Sequence, residues 1–165
     1  MDLVAAACDH GRMEPPTLLA WMGGPAALER LLAVFYARVP SDPVLAPVFA
    51  AMSPDHVAHV AAFIAEVFGG AKTYSASLGG HQHMIRRHAG RALSEVQRQR
   101  WMQLLLACAD EIGVPSDPEF RSAFVGYLEW GTRLAVINSA PGADVTTSAP
   151  MPSWGWGEVK GPYQP

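Results

Sequence analysis

The chain has 165 residues, half of them apolar, and a net charge of -3. That length suits one compact domain with some chain to spare, and the absence of a basic stripe argues against nucleic acid as a partner. Only 16% of the residues are charged, against about 25% in an ordinary soluble domain, so there is apolar material for a lined ligand cavity as well as a core.

Residues 1–20 form a weakly patterned lead. It carries Asp2 and Asp9 and lacks the basic start and apolar stretch of a signal peptide. No run reaches the length of a membrane span, so a cytoplasmic protein away from membranes is expected. Pro25 suits the first turn of a helix. From Ala26 to Val39, Leu28, Leu31, Leu32 and Phe35 repeat at helical spacing. Pro40, Pro43 and Pro47 break the next stretch into a short helix or turns ending at Val48-Phe49. Ser53-Pro54-Asp55 marks a helix start with Ser53 as the cap. The stripe that follows, from Val57 through Val60, Ala61, Ile64 and Val67 to Phe68, stops at Gly69-Gly70. Residues 71–80 are expected to be a loop. A shorter helical piece is expected over about Gln82 to Ala89.

Ser94 with Gln97 forms a capping-box pattern ahead of Trp101 and Leu105. Cys108 follows in the same apolar run and reads as a buried thiol. Cys8 is far away in sequence and neither cysteine sits in a paired motif, so no disulfide is expected. Ser116 with Glu119 repeats the capping pattern before Phe120, Phe124, Tyr127, Leu128 and Leu134, in a helix running to about Asn138. No segment shows strand alternation, which makes the fold all-α. Residues 140–165 are rich in Pro, Gly, Ser and Thr and read as a flexible tail, in which Trp154-Gly155-Trp156 is the piece able to dock.

Six histidines are the candidate chemistry: His10, His56, His59, His81, His83 and His88. Solvated surface positions explain any one of them taken singly. His56 and His59, three apart, share a helix face, and His81 and His83 flank a loop-to-helix junction. A zinc site needs about four ligands at motif spacing, which nothing here supplies. The other reading pairs one histidine with a large apolar surround. A porphyrin needs a flat slot of aliphatic and aromatic groups and one neutral imidazole as axial ligand. Phe35, Tyr36, Phe49, Val60, Phe63, Ile64, Phe68 and Trp101 would line such a slot. They would also form an ordinary core, and on periodicity alone that reading wins, since aromatic stripes at helical spacing are usually core.

Phe35-Tyr36 followed by Val48-Phe49 resembles the B helix and CD turn of truncated haemoglobins. Phe68-Gly69-Gly70 with Thr73-Tyr74-Ser75 is similar to the segment after the E helix in the second group of that family. Gly80-His81, Met84 and Arg87-His88-Ala89 resemble its proximal stretch. Trp101 stands where its G-helix tryptophan does, and Tyr127-Leu128-Glu129 with Val136-Ile137-Asn138-Ser139 is similar to its last helix. The likeness spans about Gly23 to Ser139. It implies a truncated-globin domain over residues 21–139, a 2-on-2 helical sandwich with an N-terminal lead and a C-terminal extension.

The resemblance implies haem b as cofactor and His88 as the metal ligand, with its other ring nitrogen donating to a backbone carbonyl or water. Arg87 and Tyr74 are placed to meet haem propionates, with a solvated surface residue as the other reading of Arg87. Phe35, Phe49, Val60, Phe63, Phe68, Met84 and Leu105 complete the expected haem contacts. Tyr36, Trp101 and His56 match the three positions that face the bound ligand and carry the expected catalytic role. His56 departs from the family pattern, where a small residue opens a short path from solvent. A histidine there would act as a gate or ligate the iron directly. A one-turn change of register would put His59 in its place.

Three donors in an apolar pocket imply tight oxygen binding and slow release. That argues for oxygen, nitric oxide or peroxide chemistry over bulk transport. The expected partners are diatomic ligands (O2, NO, CO) or peroxide and an external reductase, for a monomer or homodimer. Reaction of bound oxygen with nitric oxide and a peroxidase-like reaction are the two enzyme readings. The alternatives are a haem-based sensor without turnover and a non-haem helical metal-binding domain.

Overall fold

The computed structural model describes residues 14–146 and 149–162. Cys8, His10 and most of the N-terminal lead lie outside that span. Among the described residues there are helices and turns and no strand, and no helix is long and apolar enough to cross a membrane.

Thr17 caps a single-turn helix, α1 (Leu18–Trp21), by accepting from the Ala20 N–H. α2 (Gly24–Arg38) follows with Pro25 in its first turn, and buries Leu28, Leu31, Leu32, Phe35 and Tyr36 on one face. The prolines then give a 3-10 turn, Val39–Ser41, and a short helix, α3 (Ala46–Phe49). Asp42 holds this corner. Its carboxylate accepts from the Val44 and Leu45 N–H groups and from Arg100 Nε at 2.6 Å.

α4 (His56–Val67) begins later than the Ser53 signal predicts, with Asp55 at the N-cap and no side-chain cap bond. The His56 N–H donates to the Ser53 carbonyl, so Ser53 belongs to the turn before the helix. The far end obeys the glycine signal. Gly69 takes φ +92°, and the Gly70 N–H donates to the Ala65 carbonyl at 2.8 Å, the αL closure that glycine permits.

The expected loop over 71–80 is instead largely helical: α5 (Thr73–Leu78) fills most of it. Glu66 on α4, itself buried, accepts from both the Ser75 N–H and the Ser75 hydroxyl. Tyr74 is thereby driven into the core, edge-on to Phe63 at 5.0 Å. Six residues are too few for a periodic signal, so long-range anchoring decides this element. α6 (Gly80–His88) follows directly.

α7 (Glu95–Glu111) carries the full capping box of Ser94 and Gln97. α8 (Pro118–Ser139) is capped by Asp117 and not by Ser116. The Asp117 carboxylate accepts from the Phe120 N–H and also from the Trp21 indole, both at 2.9 Å. Proline at the first helical position fixes the cap at the residue before it.

α2 packs on α4 and α7, and α8 packs on α7 and α6. This is a 2-on-2 helical sandwich, with Phe68 edge-on to Phe124 and Tyr127 joining α4 to α8. Cys108 is fully buried with a free thiol. Both tail tryptophans dock on this body, with Trp156 buried.

Candidate functional site

A cavity of about 230 Å³ opens between the two layers. The elements converge on it: Tyr36 from α2, Phe49 from α3, His56, Val60 and Phe63 from α4, Tyr74 from α5, Met84, Arg87 and His88 from α6, and Trp101 from α7. Three expected contacts do not line it. Phe35 sits behind the wall, edge-on to Tyr36 at 4.8 Å and to Trp101 at 5.3 Å. Phe68 and Leu105 are core residues.

His88 is the last residue of α6. Its Nδ1–H donates to the Met84 carbonyl at 2.9 Å. A carbonyl only accepts, so this bond fixes the tautomer and leaves Nε2 as the lone-pair nitrogen. Burial pushes the imidazole pKa down, reinforced by Arg91 and Arg87 and opposed by the Met84 bond. The result is a neutral, oriented imidazole on the wall of an apolar cavity, which is what an axial ligand requires.

Tyr36 and His56 meet on another wall, phenol oxygen to Nε2 at 2.9 Å. Phe49 closes on both rings, 5.5 and 5.8 Å between centres. Burial raises the phenol pKa well above its ordinary value, with a contact from Trp101 acting the other way. His56 is pushed down to about 4, first by burial and then by the charges of Arg87 and Arg91. His59 also lines the cavity but pairs with Asp55 at 3.3 Å.

Arg87 and Arg91 border the cavity, and among the described residues neither has a carboxylate partner. Two guanidinium groups beside a neutral histidine and an apolar interior match a ligand with a flat apolar body and anionic edge groups. The residues present therefore fit haem. No group of three or more His, Cys, Asp or Glu suited to a metal ion occurs among the described residues. His81 and His83 also line the cavity, and His81 gives its Nδ1–H to the Pro150 carbonyl at 3.0 Å.

The sequence reading missed one wall. Gly131 and Ala135 of α8 line the cavity, with Leu93 from the preceding loop. Two small residues four apart on one helix face were the available signal.

A model of the bacterial-like globin family matches residues 17–129. A Group 2 truncated haemoglobin of Bacillus subtilis is 26% identical over 113 residues, 68% of this chain and 83% of the relative. The haemoglobin of Chloroflexus aurantiacus matches in structure with a TM-score of 0.64 and 33% identity, over 73% of this chain and 97% of its own. The truncated oxygen-avid haemoglobin of Bacillus subtilis matches with a TM-score of 0.65 and 25% identity, over 73% and 99%. The chain belongs to the bacterial-like globin family, with haem b as its prosthetic group and the group II truncated haemoglobins among its relatives.

Proposed function

We propose that this globin holds its haem through His88, binds oxygen tightly, and serves oxygen, nitric oxide or peroxide chemistry with electrons from a separate reductase. Haem iron supplies the site for diatomic ligands and one-electron chemistry. The chain's own residues decide how long a ligand stays. The observation that carries this reading is the 2.9 Å contact between Tyr36 and His56 on the cavity wall.

That contact has two forms. With the proton on Nε2, His56 donates to the phenol oxygen and the phenol O–H is left to point at a ligand. With the proton on Nδ1, the phenol donates to Nε2 and is occupied. The first form makes Tyr36 the principal donor and His56 its positioning partner, with the Trp101 N–H as a second donor. It also engages Nε2, which favours this role over direct ligation of iron by His56. Arg87 and Tyr74 serve the propionate side; Tyr74 lies deeper and feels the charge of Arg87.

Absorption spectra of the ferric, ferrous and oxygenated protein test this. His88→Ala is expected to lose haem, and His56→Ala to leave the ferric spectrum unchanged. Retention of haem by His88→Ala would overturn the assignment. Rapid loss of the oxygenated spectrum on adding nitric oxide, with nitrate formed, supports the first chemistry. Peroxide-dependent oxidation of a phenol supports the second.

A further inference from the structure

α6 carries His88 on a helix with no buried residue. Met84, Arg87 and His88 line the cavity, and the helix packs on α8 and α5 through half-buried side chains. α6 therefore has no fully buried anchor of its own, and the bonds at its ends add to what holds it.

The end after His88 is tied to α8. The Ala92 N–H donates to the Ser139 carbonyl and the Leu93 N–H to the Ser139 hydroxyl, at 2.8 and 2.9 Å. The start is tied to the C-terminal tail. His81 Nδ1–H donates to the Pro150 carbonyl at 3.0 Å, and Gln82 Nε2 donates to the Val145 carbonyl at 2.5 Å. Gln82 Oε1 is left buried with no partner among the described residues, a cost accepted while Nε2 stays on the tail.

The tail is fixed further along. The Trp154 indole donates to the Ala123 carbonyl of α8, and the Trp154 N–H donates to the Val67 carbonyl at the end of α4, both at 2.9 Å. The Trp156 indole donates to the Pro16 carbonyl at 2.7 Å. Trp130 stands between the two sets, 5.7 Å from Trp154 and 6.2 Å from His81 between ring centres. The family match ends at residue 129, and the Chloroflexus structure covers 73% of this chain.

We infer that the C-terminal tail, gripping at Val145, Pro150, Trp154 and Trp156, is a strap that positions α6, with His81 and Gln82 as positioning residues for the haem ligand His88. The inference rests on the reading of His88 as that ligand. The group bonded directly to a metal-ligating histidine, here the Met84 carbonyl, commonly sets affinity by ten- to a hundred-fold, and the strap acts on His88 through the helix that carries that carbonyl.

The test is a full-length double variant, His81→Phe with Gln82→Leu. The first keeps a ring against Phe63 and Trp130, and the second keeps volume without the amide. Three readouts apply: haem transfer to excess apomyoglobin, the iron–histidine stretching band of the ferrous protein, and amide exchange of α6 in the haem-free chain. Transfer is expected to quicken by up to about tenfold, the low end for a direct partner of the ligand, the band to shift, and α6 amides to exchange faster while those of α7 hold. Trp154→Phe, which keeps the ring and loses the indole donor, is expected to move all three the same way, and carries the comparison if the double variant does not fold. An unchanged band and unchanged α6 exchange overturn the strap. If the wild type shows no iron–histidine band, the ligand assignment fails instead, and exchange in the haem-free chain still decides the strap.

Discussion

Tyr36 and His56 stand on different helices, 20 residues apart in the chain, and meet through phenol oxygen and imidazole Nε2 at 2.9 Å. Burial keeps the proton on the phenol and keeps a second proton off the imidazole. At neutral pH the pair is two uncharged groups sharing one hydrogen bond, and with the imidazole proton on Nε2 the phenol proton is free for a ligand.

Loss of that proton has a measurable consequence. Tyr36→Phe keeps the ring against Phe35 and Phe49 and removes the donor. A hydrogen bond to a charged partner contributes roughly 1.5–3 kcal/mol, so oxygen release is expected to quicken by about ten- to a hundred-fold. Stopped-flow replacement of oxygen by carbon monoxide gives the rate. An unchanged rate removes Tyr36 from the role of principal donor.

The cap of α8 is a second point. Asp117→Ala is expected to destabilise the fold by about 1 kcal/mol, since it loses the Phe120 N–H bond and, at the surface, the bond from the Trp21 indole. Ser116→Ala, which the sequence pattern marks as the cap, is expected to leave the thermal midpoint unchanged. Equal effects of the two substitutions in thermal unfolding would contradict this assignment.

At the end of α4, Gly69 holds φ +92°, and an added Cβ would come within 2.7 Å of the Thr17 side chain. Gly69→Ala is therefore expected to cost roughly 1–2 kcal/mol for the backbone alone, with the Thr17 clash added. A chemical denaturation midpoint equal to the wild type would show that the turn relaxes freely.

The pH dependence of stability has a defined source. Arg98, its side chain 5% exposed, is held by Glu95 at 2.7 Å and Glu129 at 3.0 Å. The Arg98 guanidinium, assisted by Gln99, holds the Glu95 carboxyl at about 2, below its ordinary 4.5. A depressed carboxyl stabilises the fold above pH 4.5 and loses that contribution as pH falls toward 2. Unfolding midpoints on either side of this window should fall less steeply for Glu95→Gln than for the wild type. Identical slopes would remove Glu95 as a source of the dependence.

Most of the helical layout is legible in the sequence because it is written in local rules. The α2 and α4 stripes, the Ser94 capping box and the Gly69-Gly70 stop each depend on residues within a few positions of one another. α5 is not legible, since Glu66 anchors it from another helix. The Asp117 cap is reinforced by Trp21, 96 residues away. The tail reads as flexible from composition, yet its two indoles find carbonyls on Ala123 and Pro16.

The candidate site divides the same way. Sequence by itself picks out a histidine, a phenol and an indole at spacings that resemble one family, along with the all-α class. It does not tell lining from core: Phe35 and Phe68 share the aromatic pattern of Phe49 and Phe63 but stand behind the wall. Nor does it join Tyr36 to His56 or His81 to Pro150. Those pairings form where separate helices and the tail converge, and a hydrogen bond about 3 Å long depends on packing that no local pattern encodes.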